Sequence, residues 1–190
     1  MEYVERDFPL RVERYAVRPD SGGPGAHRGG TGAIRDVRVL CERAELATRM
    51  ENTLVAPYGV AGGRAGRTGR VVLNPGTPDE RLLAGQGDGI VVKRGDLMRF
   101  ETCGGGGWGD PLTRDPMRVR QDVARGFVTL RGALEDYGVV LDAITLEIDK
   151  NATDDERARR AGPVALIDRG PGFAEAEAMW QGAARAPGVG

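Results

Sequence analysis

Lysine, histidine, cysteine and aromatic side chains are all scarce in this chain, and each scarcity excludes something. Only Lys93 and Lys150 are lysines among 27 basic residues, so cationic contacts fall to arginine, whose planar fork binds oxygen pairs in two places. His27 is the single histidine, and Cys41 and Cys103 are the only cysteines. A mononuclear metal site needs three or four convergent ligands, and these residues do not make one. Two cysteines far apart in sequence describe neither a disulfide scaffold nor a zinc pair. The opening residues carry charges throughout (Glu2, Glu5, Arg6, Asp7, Arg11), which leaves no apolar signal-peptide core. No apolar run nears the ~18 residues a membrane helix needs. With 27 Lys+Arg against 28 Asp+Glu, the chain lacks the basic excess of nucleic-acid and membrane-surface binders. The expectation is a cytoplasmic protein with no nucleic-acid and no membrane partner.

Glycine, by contrast, is abundant: 30 of 190 residues, about twice its average share, with no collagen-like period. The length suits one domain, with or without an appendage. The first hundred residues read as short extended runs separated by turns. Runs over 10–17, 37–41, 45–51, 70–73, 89–93 and 97–102 are the expected strands, with turn signals at 74–76, 85–89 and 94–96. After the glycine run at 104–107 the character changes. Asp115 as N-cap, Pro116 at the first helical position and Gly126 as left-handed stop predict a helix over 116–125. Thr129 caps a second helix that Gly138 ends. Residues 139–148, rich in β-branched side chains, are expected to form one more strand. Thr153 and Glu156 make a capping box for a third helix through Arg160, stopped by Gly162 and Pro163. A last helix is expected over 173–184, then a flexible tail from Ala183 onward. The fold class is therefore α+β: a β-rich N-terminal two-thirds with glycine loops, followed by short helices and a further strand.

Three glycine loops are the candidate sites. In the first, residues 20–32, Ser21, Gly22, Gly23, His27, Arg28, Gly29 and Gly30 are candidates to lie near an anion or substrate. Glycines let backbone N–H groups come close to a ligand, and Arg28 offers a fork for a carboxylate or phosphate. The alternative is a tight structural loop. No Lys-Ser/Thr pair of a phosphate-binding loop follows. Asp20, Ser21 and His27 hold the letters of a hydrolase triad, but residues this close in sequence rarely converge in that geometry. The second stretch, with Gly104, Gly105, Gly106, Gly107, Trp108 and Asp110, reads as an interface or a ligand-approach loop. Four successive glycines cost backbone entropy and imply that side chains would clash there. Cys103 beside it has no basic neighbour in sequence and reads as a buried thiol, and Trp108 as a packing anchor. The third loop, 59–66, reads as a turn.

Taken in order, these segments resemble the hydantoinase B/oxoprolinase family. The matching segments are Phe8-Pro9-Leu10, DSGGPGAHRGGTG at 20–32, PYGVAGGRAG at 57–66, KRGD at 93–96 and CGGGGWGDPLTRDP at 103–116. DVARGFVTLRGALEDYGVVL at 122–141 and KNATDDER at 150–157 extend the resemblance to about residue 160. Family members are longer, and this chain resembles their C-terminal portion, as a naturally split small subunit or a truncated fragment. Residues 1–162 would form that region, β-rich to about 110 and mixed after, with 163–190 as an extension. The resemblance implies a hydantoinase A-type ATPase subunit and a hydantoinase B N-terminal chain as partners, and a small-molecule substrate. It implies ATP-dependent opening of a cyclic amide such as 5-oxoproline, or the related carboxylation of a ketone. ATP and a divalent metal are implied for the complex, with no cofactor bound by this chain alone and no activity of the chain alone. A non-catalytic assembly module with purely structural glycine loops is the competing expectation.

Overall fold

In a computed structural model, which describes residues 2–184, the extended runs assemble into two packed antiparallel layers. A short helix α1 (Glu2–Asp7) leads into β1 (Leu10–Val17), which pairs with β2 (Ala33–Val39) across a bulge between Val12 and Arg14. β3 (Arg43–Arg49) follows, then the two-residue β4 (Gly59–Val60), β5 (Arg70–Leu73), β6 (Arg81–Leu83), β7 (Gln86–Lys93) and β8 (Leu97–Glu101). The main sheet has the order β1-β2-β8-β5-β6, and β3 pairs with β7 as a separate ribbon. Val37, Val39, Leu73, Val92 and Met98 fill the space between sheet and ribbon. Alternation in β2 drives this: Val37 and Val39 point inward, while Arg38 between them reaches Glu13 on β1. Each fully buried aliphatic side chain contributes about 1.5–3 kcal/mol to holding the layers together.

The second half is helical. A single 3₁₀ turn (Pro111–Thr113) precedes α2 (Pro116–Ala124), α3 (Leu130–Tyr137) and α4 (Lys150–Arg160). Local chemistry sets most of these ends. The Asp115 carboxylate accepts from Met117 N–H, and Thr129 Oγ1 from Gly132 N–H. Gly126 (φ 73°) and Gly138 (φ 62°) take the left-handed turn that stops α2 and α3. Val119, Val128, Ala133, Tyr137 and Val139 form a second core under α2 and α3. A final strand β9 (Ile167–Asp168) pairs with β4, and α5 (Phe173–Ala184) follows.

Several expectations need correction. Residues 139–148 form no strand: Val139 is buried in the helical core, and a lone bridge joins Leu141 to Ile148 across a turn built on Asp142. α4 begins three residues before the expected capping box. Asp149 is its cap and Thr153 is buried inside it, its hydroxyl accepting from Val140 N–H. The expected turn at 85–89 is largely strand, because β7 starts at Gln86 and is held by β3. β6 falls outside the expected strands; its three residues gain their order from β5. The expected tail beyond Ala184 lies outside the described residues.

Candidate functional site

The three glycine loops lie in one place. Backbone hydrogen bonds lace them together: Gly23 N–H donates to Gly105 O (2.8 Å) and Gly105 N–H to Gly30 O (2.9 Å). Arg64 N–H donates to Pro24 O (2.7 Å), Gly107 N–H to Arg64 O (2.9 Å) and Val60 N–H to Gly107 O (3.0 Å). The chains sit so close that side chains have no room. A Cβ on Gly106 would stand 1.7 Å from Tyr58 O, and one on Gly104 1.9 Å from Ser21 O. The glycine run therefore exists because main chain packs directly on main chain.

This packing sorts the candidate residues. Ser21, Gly22, Gly23 and Gly29 are buried inside the knot. The Ser21 hydroxyl donates to Arg18 O (2.6 Å) and accepts from Gly32 N–H (2.8 Å), which joins the two ends of the first loop. His27 and Gly30 are exposed. His27 exchanges backbone hydrogen bonds with Trp108, and their rings lie 5.4 Å apart. Trp108 is 55% exposed, so it stands on the knot's surface rather than anchoring a core. Gly104 and Gly107 are buried, Gly105 is exposed, and Gly106 lies between. Asp110 turns inward to cap the 3₁₀ turn, accepting from Leu112 N–H. Cys103 is half-buried with its thiol free.

Arg28 is held by protein groups. Its guanidinium donates to Asp122 Oδ2 (3.2 Å) and Gly29 O (2.7 Å), and covers the Phe127 ring at 5.1 Å. Arg114 donates to the same Asp122 carboxylate (2.8 Å) and to Ala26 O (2.9 Å). One buried carboxylate thus ties the first loop to α2. Asp122 carries a legible signal: it shares α2's inward face with Val119 and Val123, at helical spacing. Asp20 does a similar task in a left-handed conformation (φ 55°), its two oxygens accepting from Thr129 N–H and Oγ1, both at 2.8 Å. Behind the knot, burial pushes the Glu101 carboxyl up, but the Arg70 fork (2.8 and 3.0 Å) and Arg18 (3.1 Å) outweigh it and hold the group below the ordinary range. Burial raises Asp136, against the opposing charge of Arg64 at 3.4 Å. A cleft of about 280 Å³ opens beside the knot, lined by Gly63, Arg64, Asp110, Arg160 and Asp168. No three His, Cys, Asp or Glu side chains are grouped to hold a metal ion among the described residues. No helix among them is long and apolar enough to cross a membrane.

These features define a class: an α+β chain whose glycine loops, joined by main-chain hydrogen bonds, pack against one another where the β-rich half meets the helical half. The sequence pattern of the hydantoinase B/oxoprolinase family matches residues 1–111, and the chain belongs to that family. It is 32% identical over 158 residues to the B-type component of a putative D-/L-hydantoinase of Pseudomonas sp. (strain NS671), covering 83% of this chain and 26% of the relative. It is 31% identical to the acetophenone carboxylase delta subunit of Aromatoleum aromaticum, covering 94% of this chain and 30% of that relative. The crystal structure of ATP-dependent caprolactamase from Pseudomonas jessenii superposes with a TM-score of 0.71 at 29% identity, over 83% of this chain and 28% of that one. The chain thus spans less than a third of the length of these relatives.

Proposed function

We propose that this chain is a small subunit, or C-terminal part, of an ATP-dependent cyclic amide hydrolase complex of the hydantoinase/5-oxoprolinase type, or of the related ketone carboxylase. Its role is to shape the complex and to line part of the active site. The observation that carries the reading is the glycine knot. It brings three distant loops together within main-chain contact, in a chain similar to caprolactamase and acetophenone carboxylase subunits. In such a complex ATP supplies phosphoryl activation of an amide or enol oxygen, and the surrounding protein supplies positioning and charge stabilisation. Within this chain, His27, Arg64, Gly30, Gly105 and Trp108 of the candidate loops stand at the surface, where a substrate or a neighbouring chain can reach them. No three His, Cys, Asp or Glu side chains are grouped among the described residues, and this reading assigns the divalent metal and ATP to the complex as a whole.

A second reading, an assembly module with purely structural glycine loops, is favoured by one observation: the Arg28 fork is spent on Asp122 and Gly29. The test of the first reading measures ATP-dependent 5-oxoproline opening and bicarbonate-dependent acetone carboxylation. The purified chain is assayed alone, then mixed with a hydantoinase A-type ATPase subunit and a hydantoinase B N-terminal chain. No turnover alone and turnover only in the mixture is the expected result. Turnover by the isolated chain, or by the other two chains without it, refutes the reading.

A further inference from the structure

The main sheet ends in two edges, and the chain treats them differently. β1 is guarded. Arg11, Glu13 and Arg14 are exposed along it, a bulge interrupts it after Val12, and Glu5 of α1 accepts the Val12 N–H (2.8 Å). Charges, bulges and a covered N–H are the devices that keep an edge from pairing with another chain. The β3–β7 ribbon is guarded too, with exposed Arg43, Glu45, Arg49, Asp88 and Lys93 and a bulge between Leu46 and Thr48.

The β6 edge is guarded only by its shortness, three residues, and carries no bulge. Among the described residues it pairs only with β5, and it presents Leu82, which is 72% exposed. Its one charge, Arg81, makes no ion pair among the described residues. Beside this edge runs an open, largely apolar groove of about 430 Å³, lined by Thr53, Leu54, Leu82 and Leu83, with Arg70, already paired to Glu101, at its side. A second hollow of about 570 Å³ continues from it past Met50 and Leu54 to Trp180 on α5. Leu54 is 62% and Trp180 55% exposed. An open strand edge next to a row of exposed large apolar side chains marks an interaction surface.

We propose that the β6 edge and this groove dock an extended strand of the polypeptide that completes the hydantoinase B body. The inference rests on the reading given under Proposed function. The occupant follows from two observations. The similar caprolactamase chain has more than two-thirds of its length with no counterpart here, a length of polypeptide from which a strand for this edge can come. The groove specifies alternating apolar side chains to fill the space between Leu54, Leu82 and Trp180, and the β6 edge adds an acidic residue opposite Arg81, which lies outside the groove's lining. Main-chain hydrogen bonds to β6 would give affinity, and the alternate side chains specificity.

The experiment co-expresses the full chain with the hydantoinase B N-terminal polypeptide of the source organism and measures the dissociation constant of the purified pair. Leu82→Lys and Leu54→Arg alter exposed positions, and unchanged melting temperatures show that both variants fold. Each is expected to weaken binding by about tenfold or more. Tyr15→Lys, on the guarded β1 edge, is expected to leave it unchanged. Binding that survives both β6-side variants overturns the docking surface while the proposed function stands. No binding by the unaltered chain overturns both. A self-dimer that Leu82→Lys dissociates, with no heteromeric complex, assigns the edge to a second copy and overturns the proposal.

Discussion

Replacing Gly106 by alanine is the sharpest test of the glycine knot. The new Cβ would lie 1.7 Å from Tyr58 O and 2.5 Å from Tyr58 C, whereas real Cβ atoms essentially never come under 3.0 Å. The backbone must therefore move by more than 1 Å. It has little freedom to do so. Residues on either side are bonded across the knot, through Gly105 N–H to Gly30 O, Gly107 N–H to Arg64 O and Val60 N–H to Gly107 O. Losing two or three such bonds costs roughly 0.5–1.5 kcal/mol each. Residual overpacking adds about 1–3 kcal/mol. The expected destabilisation is about 2–7 kcal/mol, a large share of the 5–15 kcal/mol typical of a domain. Urea unfolding followed by circular dichroism reads it as a lower midpoint at unchanged slope. Gly30→Ala is the control: its added Cβ meets nothing within 4 Å and its φ is not left-handed, so stability should hold or rise by a few tenths of a kcal/mol. A Gly106→Ala midpoint within experimental error of the unaltered chain would refute the main-chain packing.

Asp122→Asn should destabilise the chain by about 3–5 kcal/mol, because it leaves the buried Arg114 and the part-buried Arg28 guanidiniums facing a neutral amide; thermal unfolding measures it. Arg28→Lys should also lower the melting temperature, since an ammonium cannot reach Asp122 and Gly29 O together; an unchanged melting temperature would free Arg28 for a ligand role. For Glu101 the folded carboxyl is held below its unfolded value, so its stabilisation is complete above the unfolded pKa and is lost as pH falls through the folded one. Glu101→Gln should therefore flatten the acid side of the stability–pH curve below about pH 4.5, and an equally steep acid limb in the variant counts against the Arg18–Glu101–Arg70 cluster.

Much of the helical half is legible residue by residue, because caps act over three or four positions. Asp115, Pro116 and Gly126 delimit α2, and Thr129 and Gly138 delimit α3, by contacts contained within each segment. Strands β5 and β8 are equally plain from their β-branched and apolar runs. The same local rules misplace the start of α4. Asp149 and Thr153 both carry capping side chains, and Thr153 is drawn inward to serve Val140 instead.

Tertiary structure decided what no local rule reaches. Residues 139–148 have strand composition, yet a strand needs an open partner edge. Val139 instead finds the pocket between α2 and α3, and the segment closes on itself at Leu141 and Ile148. The abundance of glycine announced close approach of the backbone, but not of what to what. That Gly104 faces Ser21, and Gly106 faces Tyr58, depends on contacts between segments some fifty to eighty residues apart, set by how the sheet carries each loop to the same end. Arg28 shows the difference most clearly. Its fork was legible as a binder of oxygen pairs, and the oxygens it finds belong to Asp122, a neighbour created by folding alone.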